Sequence, residues 1–143
     1  MTVKAILSRK GRDVVTIAPT ATLSAAVKLL AERRIGAIVV GGPEDRVAGI
    51  LSERDIVRTL GERGPAALDD NVGSVMTRKV ATCTEADTIA SLMERMTQGK
   101  FRHLPVVDQG RLVGVVSIGD VVKWRVEEIE RESNALREYI ATA

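Results

Sequence analysis

The spacing of apolar residues along the chain switches between the period of a helix and that of a strand, in an order that occurs twice. In the first half it predicts a short helix, a β-branched strand, an amphipathic helix, a hairpin and a further helix. These elements span residues 2–10, 14–17, 23–34, 37–40 with 47–51, and 52 to about 60. Turn-forming residues such as Pro19, Gly36 and Pro43 lie between them.

The same order of elements returns in the second half. The predicted elements there span residues 72–76, 80–83, 89–98, 104–107 with 112–117, and 120 to about 140. An alignment at an offset of 66 residues pairs Leu23 with Ile89. After a hairpin that is one residue shorter, an offset of 65 pairs Asp55 with Asp120. Repetition at this period indicates two copies of one structural unit.

The most distinctive repeated string runs from Gly49 to Asp55 and again from Gly114 to Asp120. In each copy a glycine and two aliphatic residues precede a serine, and an aspartate follows three positions later. A unit of about 60 residues is marginal alone, so we expect the two to form one globule with approximate twofold symmetry and two equivalent clefts. The expected organisation is a first repeat with its N-terminal helix over residues 1–62, a linker over 63–71, and a second repeat with an extended final helix over 72–143.

The final predicted helix carries a narrow apolar stripe on an otherwise charged surface. Its members step by threes and fours: Val122, Val126, Ile129, Ser133, Leu136 and Ile140. Such a stripe must cover something, because a polar helix gains little from isolated apolar residues. The sequence leaves two partners open, which are its own domain and a second chain.

Composition narrows the function classes. The chain has 143 residues, 45% of them hydrophobic, a formal charge of +2, one cysteine and one histidine. An internal disulfide and a cysteine-based metal cluster are therefore excluded. No string matches a P-loop or a dinucleotide-binding glycine motif. Neither a leader nor an apolar run of membrane-spanning length is visible, so we expect a cytoplasmic protein without a membrane partner.

The order of elements, the two Gly-x-aliphatic-Ser-x-x-Asp strings and the segment Arg102-His103-Leu104-Pro105-Val106-Val107-Asp108 resemble a pair of CBS domains, or Bateman module. The resemblance covers roughly residues 3–126 and implies an α+β fold of two βαββα repeats packed as a pseudo-twofold CBS pair. It further implies a stand-alone regulatory module rather than an enzyme. Adenosine-containing ligands are expected in its clefts: AMP first, with ADP, ATP, NAD(H) and S-adenosylmethionine as alternatives and no metal required. A homodimer and an unidentified regulated protein are the expected protein partners.

The serine and aspartate of each string suit such a ligand. One carboxylate can accept hydrogen bonds from both hydroxyls of a ribose, and a serine at a helix start can bind ribose or phosphate. The same pair also forms a capping box, which needs no ligand. For a single copy the cap is the better interpretation, but the repeat and the resemblance favour the ligand.

The resemblance implies that each cleft combines the Ser/Asp pair of one repeat with the adenine wall of the other. The first cleft would contain Ser52, Asp55, Thr82, Cys83, Phe101 and His103. The second would contain Ser117, Asp120, Thr16, Ile17, Ala18, Gly36, Ala37 and Ile38. The apolar members also suit an ordinary core.

Cations distinguish the two predicted clefts. Lys100 and Arg102 are candidates to bind phosphates, whereas Gly36 and Ala37 of the first repeat carry no charge in the corresponding region. Arg54 adds a further charge to the Asp55 cleft, because its counterpart is Gly119. We therefore expect the clefts to bind different ligands, or one ligand with different strength, although the cations also fit a solvated basic edge.

Three other functions fit parts of the sequence less well. A ligand-independent dimerisation scaffold would use both serines only as caps. A nucleic-acid binder is favoured by the sequence pI near 8.9, but the net charge is small and the aromatic residues are few. An enzyme is ranked last, because no nucleophile or acid–base constellation emerges. His103 has no second histidine for a metal site, and Cys83 is expected to be a small buried hydrophobe.

Overall fold

The computed structural model describes residues 1–142; Ala143, which the predicted second repeat includes, lies outside the described residues. The elements in the first part of the chain are α1 (Val3–Lys10), β1 (Thr16–Ile17), α2 (Leu23–Arg33), β2 (Ala37–Gly41), β3 (Val47–Ser52) and α3 (Glu53–Arg63). Those in the second part are α4 (Val72–Val75), α5 (Ile89–Gly99), β4 (His103–Asp108), β5 (Arg111–Ser117) and α6 (Ile118–Thr142). This alternation confirms the predicted mixed fold of two repeats.

The sheets of the two repeats correspond, with three strands in the first and two in the second. In the first, β1 pairs in parallel with β2, which pairs antiparallel with β3. In the second, β4 and β5 form the matching hairpin, and an isolated parallel bridge joins Cys83 to Val106, just as Ile17 pairs with Val40. Both hairpins change register at the same place, after Val40 and after Val106. The two repeats therefore match in individual backbone pairings as well as in sequence.

The predicted strand over residues 80–83 is wrong, since only Cys83 joins the sheet there. Its amide donates to the carbonyl of Pro105, and its own carbonyl accepts from the amide of Val107. The next bond of a parallel ladder would need an amide hydrogen on Pro105, which proline lacks. The first repeat has Val39 at this position and forms the two-residue strand β1.

The two hydrophobic cores exchange their short helices. The core of the first repeat includes Leu23, Ile38 and Leu51, and α4 adds Val72 and Val75 to it. The core of the second repeat surrounds Leu92, Leu104 and Val116. There α1 adds its three buried apolar residues: Val3, Ile6 and Leu7. Helix α4, which precedes the second repeat in the chain, therefore completes the first core. Helix α1, which precedes the first repeat, completes the second core.

The segment predicted as a linker is partly structured. A 3₁₀ helix spans Pro65–Asp69, and Ala67 within it is buried in the first core. The preceding helix α3 also runs to Arg63, beyond the predicted end near Leu60. The connection between the repeats is consequently packed against the first repeat rather than extended from it.

Helix α6 is anchored at its start and exposed along most of its length. Val121 and Trp124 are buried, whereas Val126, Ile129 and Leu136 are about half exposed or more. The apolar stripe predicted on this helix thus faces away from its own repeat over most of its extent. Among the described residues, none of the helices combines the length and apolar character needed to cross a bilayer.

Candidate functional site

Both repeated Ser-x-x-Asp strings form caps where a strand turns directly into a helix. At the start of α3, the Ser52 hydroxyl accepts from the Asp55 amide at 3.3 Å, and Asp55 Oδ2 accepts from the Ser52 amide at 3.0 Å. At the start of α6, the corresponding distances between Ser117 and Asp120 are 3.2 and 3.0 Å. Reciprocal caps of this kind fix both carboxylates at helix N-termini.

A cleft of about 730 Å³ opens beside Asp55 and is lined by both repeats. From the first repeat it takes Gly36, Ala37, Ile50, Ser52, Glu53, Arg54, Asp55 and Arg58. From the second part of the chain it takes Thr77, Lys79, Val80, Ala81, Gly99, Lys100, Phe101, Arg102, His103, Ser117, Ile118 and Gly119. Most of the apolar and cationic residues that line this cleft come from the second part of the chain.

The apolar part of the wall lies at Val80, Ala81 and Phe101. The Phe101 ring packs over Gly99, where a side chain would collide with it. The α5 helix ends beside it at Lys100, which adopts the left-handed backbone conformation with φ 57°. Together these features hold an aromatic ring next to a run of cations.

The cationic part of the wall combines residues from both repeats. Lys79, Lys100 and Arg102 line it from the second repeat, and Arg54 and Arg58 from the first. The Arg54 guanidinium donates to the Lys100 carbonyl at 3.3 Å, which links the two repeats across the cleft. Asp55 and Glu53 line the same cleft, so it can receive a ligand that has both a hydroxyl-bearing and an anionic end.

The Asp55 carboxylate is buried and accepts several internal hydrogen bonds. The Thr77 hydroxyl lies 3.2 Å from its Oδ1, and the Ser52 hydroxyl lies 3.1 Å from its Oδ2. Arg58, one turn further along α3, lies 3.1 Å from Oδ1 and has a side chain that is 54% exposed. The Arg58 guanidinium is therefore a solvent-exposed partner of a buried carboxylate.

Asp120 is engaged differently. The Lys10 ammonium lies 2.5 Å from its Oδ2 and also donates to the Val115 carbonyl at 2.9 Å. Burial disfavours the ionised form of Asp120, but hydrogen bonds from Lys10 and Ser117 outweigh it and lower the pKa of this carboxyl. The second carboxylate is therefore ionised and already paired with a cation from α1.

His103 lies where the two repeats meet. A Cβ at Gly36 would lie 3.5 Å from its Cε1 and 3.7 Å from the carboxyl carbon of Glu53. Burial lowers the pKa of His103, and the positive charge of Lys10 lowers it further, against the opposing effect of Asp120. The imidazole is consequently neutral near pH 7 and offers one donor and one acceptor.

The structure brings ten of the predicted site residues to this one cleft. They are Ser52, Arg54, Asp55, Gly36, Ala37, Lys100, Phe101, Arg102, His103 and Ser117. Gly36, Ala37 and Ser117 were assigned to the second cleft, but the structure places them in this one.

Other predicted residues lie elsewhere. Cys83 is in the second core, where burial, with the Asp87 charge, raises the pKa of its thiol to about 12, and Ile38 is in the first core. Thr82 directs its carbonyl to Arg95 at 2.7 Å. A smaller cleft of about 510 Å³ contains Thr16, Ile17 and Ala18 together with Arg12, Val14, Gly41, Gly42, Asp45, Arg46 and Leu112.

Among the residues of this cleft that were not predicted are Thr77, Lys79, Val80 and Ala81. They follow the short helix α4 on the way to the sheet, and Lys10, which was not predicted to lie beside Asp120, is the last residue of α1. Their proximity to the two aspartates depends on the crossing of α1 and α4 between the repeats, which the sequence pattern does not show. Within residues 1–142, no cluster of three histidine, cysteine or acidic side chains is arranged to hold a metal.

Comparison with known proteins gives a consistent result. The family model described as CBS domain matches residues 3–62 and 72–127. A solved CBS-domain containing protein from Agrobacterium tumefaciens has a TM-score of 0.84 at 46% identity, over 87% of this chain and 99% of its own. A CBS domain protein from Pyrobaculum aerophilum, solved in complex with AMP, has a TM-score of 0.74 at 30% identity, over 84% and 89%.

Among curated relatives, CBS domain-containing protein CBSX3, mitochondrial, of Arabidopsis thaliana is 37% identical over 123 residues. The match covers 83% of this chain and 60% of that relative. A protein from Acidianus ambivalens matches over 77% of this chain and 66% of its own length. The chain thus spans less than two thirds of these two relatives.

Proposed function

This chain belongs to the CBS domain family, and from that premise we propose that it is a regulatory module that binds an adenosine-containing nucleotide, AMP first, in the cleft beside Asp55. The observation that carries the proposal is the composition of this cleft. A carboxylate at a helix start, an apolar wall and several cations face one another across a space of about 730 Å³. Pockets for nucleotide-sized ligands occupy roughly 300–1,000 Å³.

Each part of AMP has a chemically matched partner. The ribose hydroxyls donate to Asp55 in place of the Thr77 hydroxyl or the exposed Arg58 guanidinium. The adenine packs against the apolar wall at Val80, Ala81 and Phe101. The phosphate is held by the cations Lys79, Lys100 and Arg102, and a ligand with two or three phosphates extends along the same row. The related Pyrobaculum aerophilum protein was solved with AMP, which supports this ligand class.

The competing interpretation is a ligand-independent scaffold. Ser52 and Asp55 form a complete capping box, so their geometry is explained without any ligand. A cap, however, needs neither the cations at Lys100 and Arg102 nor an open wall. We favour the nucleotide module because these additional features converge on one cleft.

A thermal-shift screen tests the proposal. AMP, ADP, ATP, NAD⁺, NADH and S-adenosylmethionine are each added to the wild type, to Asp55→Ala and to Glu62→Ala. A ligand at about 100 times its Kd adds about 2.7 kcal/mol, which raises Tm by roughly 5–10 °C for a chain of this size. We expect a rise in the wild type and in Glu62→Ala, whose exposed carboxylate lies on the same helix, and its loss in Asp55→Ala. No rise with any ligand in a folded wild type would reject the nucleotide module and favour the scaffold.

We further propose that the module is a homodimer in which the exposed stripe of α6 meets a second copy. Ile129 and Ile140 are 48% and 65% exposed on this helix. Val57 and Val122, which are equivalent in the two repeats, are 70% and 45% exposed, so both helical faces present apolar side chains. Large exposed apolar patches are typical of interfaces.

Light scattering coupled to gel filtration tests the dimer. We expect a dimeric mass for the wild type and a monomeric mass for Ile129→Asp, because a buried unpaired carboxylate is costly. Asn134→Asp adds the same charge to the same helix, away from the stripe, and should remain dimeric. A monomeric wild type, or equal masses for the two variants, would contradict this interface.

A further inference from the structure

Lys10 and Thr77 satisfy equivalent acceptors in the two halves of the molecule. In the first repeat, the Thr77 amide donates to the Ile50 carbonyl at 2.9 Å, and the Thr77 hydroxyl lies 3.2 Å from Asp55. In the second repeat, the Lys10 ammonium alone makes both contacts, to the Val115 carbonyl and to Asp120. The repeat alignment pairs Ile50 with Val115 and Asp55 with Asp120, so the pseudo-twofold symmetry is kept in the acceptors and broken in the donor.

The substitution of an ammonium for a hydroxyl changes the charge at the second carboxylate. A neutral hydroxyl leaves Asp55 with its negative charge, which only the exposed Arg58 offsets. The Lys10 ammonium lies directly on Asp120, and its side chain is only 34% exposed. To reach Asp120, a ribose has to displace the ammonium itself, whereas at Asp55 it can replace the uncharged Thr77 hydroxyl and leave the Arg58 contact in place.

Lys10 is also held in position by its helix. Its neighbour Arg9 pairs with Glu127 at 3.2 Å and lies over the Trp124 ring at 4.7 Å. Ile6 and Leu7, one turn before Lys10 on α1, are buried in the second core. The end of α1 therefore cannot swing away from α6 without breaking these contacts, and the ammonium remains at Asp120.

We propose that Lys10 determines which of the two Ser-x-x-Asp strings binds an adenosine ligand, because its ammonium occupies Asp120 as an internal competitor and reserves binding for the Asp55 cleft. This inference rests on the proposed function and adds to it a specificity-determining residue outside both Ser-x-x-Asp strings. The module then binds one AMP per chain although it contains two copies of the motif. Removal of the ammonium makes the second copy available.

Isothermal titration calorimetry with AMP tests the inference. The proteins are the wild type, Lys10→Met, Lys10→Arg, Asp55→Ala, the double variant with Lys10→Met and Asp55→Ala, and the triple variant that adds Asp120→Ala. Lys4→Met is the matched control, because it removes the same charge from an exposed position on the same helix. A thermal melt of each protein without ligand verifies that it is folded.

We expect one AMP per chain in the wild type, Lys10→Arg and Lys4→Met, and two in Lys10→Met. The double variant should bind AMP at least about tenfold more tightly than Asp55→Ala, and Asp120→Ala should abolish that gain. Unchanged stoichiometry in Lys10→Met, or two AMP molecules in the wild type, would overturn the inference but leave the nucleotide module intact. Weaker binding in Lys10→Met would also overturn it, since Lys10 would then contribute to the ligand site. If no protein in the series binds AMP, the proposal of AMP as ligand fails instead.

Discussion

Gly114 of β5 lies directly against Leu7 of α1, and a Cβ at Gly114 would lie 2.8 Å from Leu7 Cδ2. The other repeat contains the same arrangement, in which a Cβ at Gly49 would lie 2.6 Å from Met76 Sδ and 2.8 Å from the Thr77 carbonyl oxygen. The first glycine of each repeated string therefore makes room for the short helix that crosses from the other repeat. The glycine belongs to the packing of the fold, whereas the serine and aspartate of each string cap the following helix.

This close approach predicts that Gly49→Ala and Gly114→Ala are destabilising. We expect Gly49→Ala to cost about 1–3 kcal/mol and Gly114→Ala less, because the obstacle at Gly49 includes a backbone carbonyl. Gly61→Ala is the control, since its Cβ would meet nothing within 4 Å and helical alanine is favoured over glycine by roughly 0.5–1 kcal/mol. Urea denaturation measures all three free energies of unfolding. A Gly49→Ala variant as stable as Gly61→Ala would contradict the packing described.

The helix caps predict a separation between stability and ligand binding. Ser52→Ala and Ser117→Ala should each lower the free energy of unfolding by about 0.5–2 kcal/mol, because each removes the acceptor for an amide in the first turn of its helix. Ser52→Ala should also reduce the Tm increase produced by AMP, and by more than Ser117→Ala, because the Ser52 hydroxyl contacts Asp55 whereas the Ser117 hydroxyl contacts the Asp120 amide. Equal effects of the two variants on that increase would contradict a larger role of Ser52 in the Asp55 cleft.

Cys83 should be chemically inert in the folded protein. Its side chain is 2% exposed, and burial together with the Asp87 charge raises the pKa of the thiol to about 12. The thiolate, which is the reactive form, is therefore almost absent near pH 8. We expect Ellman's reagent to label no thiol in the native chain and one after denaturation in guanidinium. Rapid labelling of the native protein would mean that the second core opens readily.

His103 should make stability depend on pH between neutrality and mild acidity. Its pKa is lowered in the folded state from 6.5, so the unfolded chain binds the proton more readily. The stabilisation is complete above pH 6.5 and is lost as the pH falls towards the lower pKa of the folded state. Asp120 does not titrate in this window, because its pKa is lowered from 3.8.

The measurement is Tm at about pH 7.5 and about pH 5.5 for the wild type and His103→Gln, which keeps a neutral polar side chain. We expect Tm to fall more in the wild type than in the variant over this interval. An identical decrease in both proteins would show that folding does not lower the pKa of His103.

The repeat predicted most of the fold, because hydrophobic period and turn residues are local properties of the sequence. The prediction of a strand over residues 80–83 was wrong for a non-local reason, since the amide hydrogen that such a strand would need is absent at Pro105 in the neighbouring strand. The proximity of Thr77 to Asp55 and of Lys10 to Asp120 could not be predicted from local sequence patterns either. Each lies near an aspartate only because the short helices α1 and α4 cross between the repeats, and the periodicity of neither helix shows which core it joins.

The exchange of α1 and α4 between the two cores also affects how the chain folds during its synthesis. Leu7 finds its packing partner Gly114 only after more than a hundred further residues have been made, so the apolar face of α1 has no native partner while the first repeat is emerging. The first repeat likewise waits for Val72 and Val75 before its own core closes. Contacts of such long sequence separation slow folding. We expect the nascent chain to stay sensitive to proteases until β5 has left the ribosome, and then to become resistant in a single step.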